Sequence, residues 1–314
     1  AVCFHAAAVG VGHAEPANPS GDAQERRDAR IVAVLFSVGQ TENARKEFSH
    51  VPNLDLLEIN GTPMIMHVYN ALCESRYIDK VVIVAAPEIE GRLTLRQTPE
   101  TSFVIDRGDA SENVRFGIDE VSKGDLILFI PSDLVLVTAE SIDHLIERVL
   151  AEKDVDIFFP LVSREACERK YPEERRTYAH FKEGQYTGGH VEFLRPDLFL
   201  QHADQVQTNK DSLYDLYAMR KSTLGMMRFL GLKLTVKYIL GTLSPNDIEE
   251  HIYDKYHVRA KTLYWDDPDL STDLSEPGDI PMITRALEQR VLAHSHAPKP
   301  GANSVSGSDH SNGV

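Results

Sequence analysis

Four short apolar runs constrain this chain more than any other feature: "RIVAVLFSV" (30–38), "KVVIVAAP" (80–87), "DLILFIPSD" (125–133) and "VDIFFPLV" (155–162). Continuous runs of this kind, rich in β-branched residues, mark strands that are covered on both faces. Between them lie "MIMHVYNALCES" (64–75), "SENVRFGIDEVS" (111–122) and "AESIDHLIERVLAEK" (139–153), whose apolar residues recur at helical spacing. Strand alternating with helix predicts an α/β fold of three layers around a mostly parallel, Rossmann-like sheet.

The rhythm changes after residue 163. "RTYAHFKEG" and "YTGGHVEFLRP" read as two strands joined by a turn at Glu183 and Gly184. Helical segments are expected at roughly 200–219, 220–241 and 245–256, the last capped by Ser244 with Pro245 in its first turn. A strand "RAKTLYW" (259–265) and a helix after Pro277 then return to the first sheet. The chain thus reads as one domain over 29–293, with 164–256 an α+β insertion or cap. The ends, 1–28 and 294–314, are rich in Ala, Gly, Pro, Ser and His and are expected to be disordered tails.

A formal net charge of −15 disfavours nucleic acid as a partner. Cys3, Cys73 and Cys167 are far apart and form no CxxC, so neither a disulfide framework nor a zinc site is indicated, and a reducing cytoplasm is the expected compartment. No apolar stretch is long enough to span a membrane. The opening "AVCFHAAAVGVGHA" lacks a basic leading region, so a signal peptide is not expected. HExxH, GxSxG, GxxxxGK[ST] and GxGxxG are all absent, which weighs against hydrolase, P-loop kinase and dehydrogenase chemistry.

The strongest chemical signal is Asp133, just past the buried run "LILFIP" and six residues before the helix at Ala139, too early to cap it. The carboxyl end of a strand in an open α/β sheet is where ligands bind, and a carboxylate there suits Mg²⁺ shared with substrate phosphates. A second acid, Asp273, follows the last strand, and carboxylates from two strands can bracket a metal ion. "DDPD" (266–269) reads either as part of the same acidic site or as a solvated turn. Gly188 and Gly189 within "YTGGH" mark a bulge or a close approach of backbone to ligand. Arg175 and Arg176 offer forked donors to phosphate or form a charged surface turn. The stretch 219–243 holds Arg220, Lys221, Arg228, Lys233 and Lys237 and no acid, as an amphipathic cap or a contact for an anionic surface.

One loop poses a problem. "SVGQTENARKEFSHVPNL" (37–54) leaves the first strand carrying Arg45 and Lys46 but a single glycine, where a phosphate cradle usually has several.

As an ordered set, these segments resemble the MobA-like nucleotidyltransferases, a branch of the GT-A-type α/β fold. The resemblance covers roughly 30–292 and is carried by "LLEINGTPMIMHVYNALCESRYIDKVVIVAAPE", "SENVRFGIDEV", "IPSDLVLVTAESID", "RRTYAHFKEGQYTGGHVEFLRPDLF" and "STDLSEPGDI". It implies attack of an acceptor phosphate on the α-phosphorus of an NTP, with pyrophosphate leaving. It further implies that Asp133 and Asp273 hold Mg²⁺, and that Arg45 or Lys46 neutralises charge in the transition state. Ser37, Gly39, Asn53 and Asn113 would lie at the nucleotide. Arg176, Thr187, Gly188, Gly189 and His190 would border the phosphorylated acceptor.

The chain also departs from the family's pattern. It has "FSVG" (36–39) where LAGG is usual, Leu54 where a lysine is usual, and Thr62 where the following turn carries a lysine. Ser275 takes the second acidic position of the closing motif, and His190 replaces an asparagine. The loop is therefore a nucleotide loop by position and an altered one by chemistry. Either Arg45 and Lys46 substitute for the missing lysine, or the chain is a catalytically impaired nucleotide-binding protein. A GT-A glycosyltransferase, using a sugar nucleotide, is the remaining alternative.

Overall fold

A computed structural model describes residues 29–37, 46, 48, 51–106, 125–196, 223–274 and 276–296. The first half runs β1 (Ile31–Phe36), the small hairpin β2 (Glu58–Ile59) and β3 (Thr62–Pro63), α1 (Met64–Glu74), β4 (Lys80–Ala85), β5 (Glu100–Ile105), β6 (Leu126–Pro131) and α2 (Ala139–Ala151). The second half runs β7 (Ile157–Ser163), α3 (Arg164–Lys170), β8 (Ala179–Phe181), β9 (Gly184–Gly188), β10 (Glu192–Leu194), α4 (Thr223–Ile239), α5 (Pro245–Tyr256), β11 (Ala260–Trp265) and α6 (Ile280–His296). The helix expected at 111–122 and the one at 200–219 lie outside the described residues. No described helix is long and apolar enough to cross a membrane.

Among the described residues nine strands form one sheet, in the order β5-β4-β1-β6-β10-β7-β9-β8, with β11 on the other edge of β7. All but β9 and β10 run in one direction. The period-2 geometry of a strand explains why the apolar runs are continuous. In β1, Ile31, Ala33 and Leu35 face one layer, packed with α1 and α2, while Val32 and Val34 face the other, packed with α4 and α5. β4 and β6 repeat the division, with Val81, Ile83, Leu126, Leu128 and Ile130 on the first side and Val82, Val84, Ile127 and Phe129 on the second. Each Val, Leu, Ile or Phe side chain among them, fully buried, contributes roughly 1.5–3 kcal/mol of transfer free energy.

The chain leaves β1 toward β4 and β5 and then returns to place β6 on the opposite side of β1. This reversal makes the crevice beyond the carboxyl ends of β1 and β6 the topological switch point, where open α/β sheets bind ligands. Ser37 and Asp133 stand there, at the two strand exits.

One expectation about the second half needs correction. Within the segment 164–256, β8, β9 and β10 are strands of the sheet itself, because β6 and β7 leave ladder positions that they fill. "YTGGHVEFLRP" is two strands and not one. Leu161 pairs with Gly188 but Phe158 with Phe193, so two extra residues bulge out between those pairs. Gly189 N–H bonds Pro160 O at 3.0 Å, and His190 N–H turns away to Leu270 O at 2.7 Å. A Cβ at Gly189 would stand 2.8 Å from the Pro160 Cβ, so this crossing requires glycine.

At the other positions the pattern holds. Thr138 caps α2 through Ser141, and Ser244 caps α5 with Pro245 in its first turn. Within the basic stretch, Leu230 and Leu234 of α4 pack on the sheet and Lys237 pairs with Asp247 at 2.5 Å. α6 extends to His296, beyond the boundary expected at 293.

Candidate active site

Asp133 is carried by the turn that follows β6. Ser132 N–H donates to Phe36 O at 3.0 Å, which prolongs the β1–β6 pairing by one residue before the chain turns. Asp133 is 7% exposed, and its Oδ1 finds no hydrogen-bond partner among the described residues. Burial, reinforced by the negative charge of Asp273, pushes its carboxyl up from an ordinary 3.8 to about 7, against an opposing pull from His190. A carboxylate in this setting favours a proton or a bound cation.

Asp273 reaches the same place from the far end of the chain. After β11 the backbone forms a short 3-10 turn, Pro268–Leu270, whose Pro268 O accepts from the hydroxyls of Ser271 and Thr272. Leu274 N–H then bonds Asp133 O at 3.0 Å, so the two acidic loops touch through their backbones. His190 Nδ1 lies 3.7 Å from Asp273 Oδ1, placed there by the bulge after Gly188. Asp133, Asp273 and His190, from three separate segments, are thus brought together. No described group of three or more His, Cys, Asp and Glu side chains forms a metal cage by itself. A carboxylate pair that leaves positions open to substrate oxygens is the arrangement Mg²⁺ ordinarily takes.

Beside this pair lies an acid that the sequence reading missed. Asp55 is 1% exposed, accepts from Ser132 Oγ at 2.6 Å, and leaves Oδ2 without a partner among the described residues. Burial raises its pKa, and hydrogen bonds from Ser132 and Ser37 oppose the rise. Ser37 therefore faces the acidic knot at the strand ends, and its own N–H is bonded to Val84 O at 2.8 Å. The available signal was an acid set among Leu54, Leu56 and Leu57, where a surface turn would not bury its neighbours.

The remaining candidates divide. Asn53 caps the 3-10 turn Leu54–Leu56 by accepting from Asp55 N–H at 3.0 Å, a local structural task. The Arg176 side chain is buried, is paired with Glu174, and donates to Thr272 Oγ1 at 2.9 Å, next to Asp273. Its Nε and Nη1 have no partner among the described residues. Arg175 is exposed. Thr187 is buried opposite Val162, and Gly188 pairs with Leu161. Lys46 is exposed. Arg45, Gly39 and Asn113 lie outside the described residues, as does Ser275.

Leu54 has a definite environment. It is 4% exposed, in an apolar cluster with Leu57, Ile59, Met64, Val135, Leu136, Leu274 and Ile283. "DDPD" is not a solvated turn either. Asp269 is 2% exposed and is held by Tyr171, Lys170 and Arg290. A cavity of about 640 Å³ lined by Arg148, Arg169, Lys170, Trp265 and Asp266 lies elsewhere, and none of Asp133, Asp273 and His190 lines it.

Comparison with known proteins shows what the chain is similar to. The chain is 36% identical over 102 residues to 2-C-methyl-D-erythritol 4-phosphate cytidylyltransferase of Streptomyces avermitilis, a match covering 30% of this chain and 41% of that protein. The corresponding enzyme of Streptomyces coelicolor is 32% identical over 102 residues, covering 30% and 38%. The chain therefore spans well under half the length of these curated relatives. A solved hypothetical transferase from Thermus thermophilus superposes with a TM-score of 0.64 at 27% identity, over 80% of this chain and 99% of that one. CMP:2-keto-3-deoxy-manno-octonic acid synthetase in complex with CTP shares the fold, with a TM-score of 0.51 at 13% identity over 83% of this chain and 100% of that one. The family model of the MobA-like NTP transferase domain matches residues 55–218, from the buried Asp55 through the TGGH bulge, and the chain belongs to that family.

Proposed function

We propose that the chain transfers a nucleotidyl group from an NTP to a phosphorylated small-molecule acceptor. A phosphate oxygen of the acceptor attacks the α-phosphorus, the bond from that phosphorus to the bridging oxygen breaks, and pyrophosphate leaves with the electron pair. The observation that carries the reading is the buried Asp133 beside Asp273 at the switch point, with one carboxylate oxygen unpartnered among the described residues.

Asp133 and Asp273 would hold Mg²⁺, which supplies neutralising charge to the triphosphate when bound. His190, 3.7 Å from Asp273, orients that carboxylate. Arg45 and Lys46 offset charge on the departing pyrophosphate, an electrostatic contribution of a few kcal/mol, roughly. Ser37, Gly39, Asn53 and Asn113 are assigned to the nucleotide, Gly39 and Asn113 on the sequence alone. Arg176, Thr187, Gly188, Gly189 and His190 are assigned to the acceptor, the Arg176 guanidinium being held beside Asp273 by Glu174 and Thr272. The curated relatives are cytidylyltransferases, so CTP is the first donor to test, with 2-C-methyl-D-erythritol 4-phosphate as the first acceptor.

The test is Mg²⁺-dependent pyrophosphate release across the four NTPs, comparing wild type with Asp133→Asn. Loss of release in a folded variant supports the reading, and unchanged release refutes it. One observation favours a second reading. With Leu54 buried among apolar side chains, that position supplies no cation to the phosphates. An impaired nucleotide-binding protein would bind NTP in a calorimeter and release no pyrophosphate with any acceptor.

A further inference from the structure

The two loops that bear Asp133 and Asp273 carry like charges into one crevice. Something must hold them together before a cation arrives. The backbone bond from Leu274 N–H to Asp133 O is one tie. A second comes from a residue far along the chain. Arg290, near the end of α6, donates from Nη1 to Leu136 O at 2.5 Å and from Nη2 to Asp269 Oδ2. Leu136 is three residues past Asp133, and Asp269 is four before Asp273. One guanidinium therefore spans both acidic loops.

The other end of this bridge is rigid. Asp269 also accepts from the Tyr171 hydroxyl at 2.6 Å and lies 2.8 Å from Lys170 Nζ, so it is fixed from α3 as well as from α6. α6 is seated by Ile283, fully buried in the cluster that holds Leu136 and Leu274. A planar fork that serves two acceptors at fixed angles is something arginine can do and lysine cannot.

We infer that Arg290 is a positioning residue for the carboxylate pair, acting through Leu136 O and Asp269 to hold the Asp133 and Asp273 loops at cation-binding separation. The inference rests on the assignment of those two carboxylates to the cation in the proposed function. Arg290 itself touches neither substrate nor metal.

The experiment is a Mn²⁺ titration of the full-length protein followed by electron paramagnetic resonance, without nucleotide, for wild type, Asp133→Asn, Arg290→Lys, Arg290→Ala and Arg285→Ala. Arg285 is an exposed arginine of the same helix, paired with Glu173, and serves as the control for loss of a surface ion pair. Outer-shell partners of metal ligands typically contribute about 10–100-fold in affinity. Arg290→Lys is expected to weaken Mn²⁺ binding by about tenfold or more while melting as a folded protein, and Arg285→Ala to bind as wild type does. Folded Arg290→Lys with wild-type affinity overturns the inference, whether or not Arg290→Ala folds. Equal binding by wild type and Asp133→Asn overturns the carboxylate assignment, and the inference falls with it. Binding lost in Asp133→Asn but retained in Arg290→Lys overturns the inference alone.

Discussion

Asp133→Asn separates the cost of the buried carboxylate from its use. The side chain keeps its shape and loses its charge. In the folded protein the carboxyl titrates near 7 instead of 3.8, chiefly because it is buried and next because Asp273 is near. Between those two values the folded chain holds a proton that the unfolded chain has released. Stability from this group is thus fully present below about pH 4 and declines as pH rises to about 7. Three decades at about 1.4 kcal/mol each put the cost of ionising Asp133 on the order of 4 kcal/mol. The variant has no proton to lose and escapes that decline. In chelator at pH 8, Asp133→Asn is expected to be more stable than wild type by up to that amount, or several degrees in Tm at about 2–4 °C per kcal/mol. At pH 5 the gap should shrink to about 1–2 kcal/mol, and below about pH 4 it should close. Saturating Mg²⁺ at pH 8 should raise wild type and leave the variant nearly unmoved, since only a state that binds the ion gains from it. The assay is urea unfolding followed by circular dichroism at several pH values, with chelator and with Mg²⁺. Parallel stability profiles for wild type and variant, or a variant that is weaker at pH 8 in chelator, would refute the reasoning.

Three further outcomes can be checked with the same methods. Asp273→Asn removes the charge that stands second among the causes of the Asp133 shift, so the fall in stability should still begin near pH 4 but end at lower pH and be smaller, and pyrophosphate release should be lost. Leu54→Lys should not restore activity: it sets an ammonium among Leu57, Ile59, Met64 and Val135, and a loss of about 2–5 kcal/mol in urea unfolding is expected, comparable to emptying that core site. Gly189→Ala forces a Cβ to 2.8 Å from that of Pro160 and should cost about 1–3 kcal/mol, with NTP turnover reduced because His190 is displaced from Asp273.

What could be read along the chain was what is local and periodic. The division of Ile31, Ala33 and Leu35 from Val32 and Val34 is written in the continuity of the run, because a strand buried on both faces has no polar face to alternate with. Asp133 could be found from its position because a carboxylate just past such a strand, too early to cap the next helix, has no structural task of its own. Asp55 and Arg290 were not legible for the opposite reason: "NLDLLE" and "EQRVL" look like an ordinary turn and an ordinary helix surface. Their roles arise only when partners 77 and 154 residues away, Ser132 and Leu136, arrive beside them. The same distance hid Asp269 within a run that looked solvated, until α3 and α6 closed over it. The TGGH bulge falls between these cases. Two adjacent glycines announced a distortion, but its direction was set by Pro160 on one side and Leu270 on the other, one on the strand paired with it and the other in the loop that carries Asp273. The site is therefore a product of loop-to-loop ties across the whole chain, and substitutions that loosen those ties should change cation affinity before they change the sheet.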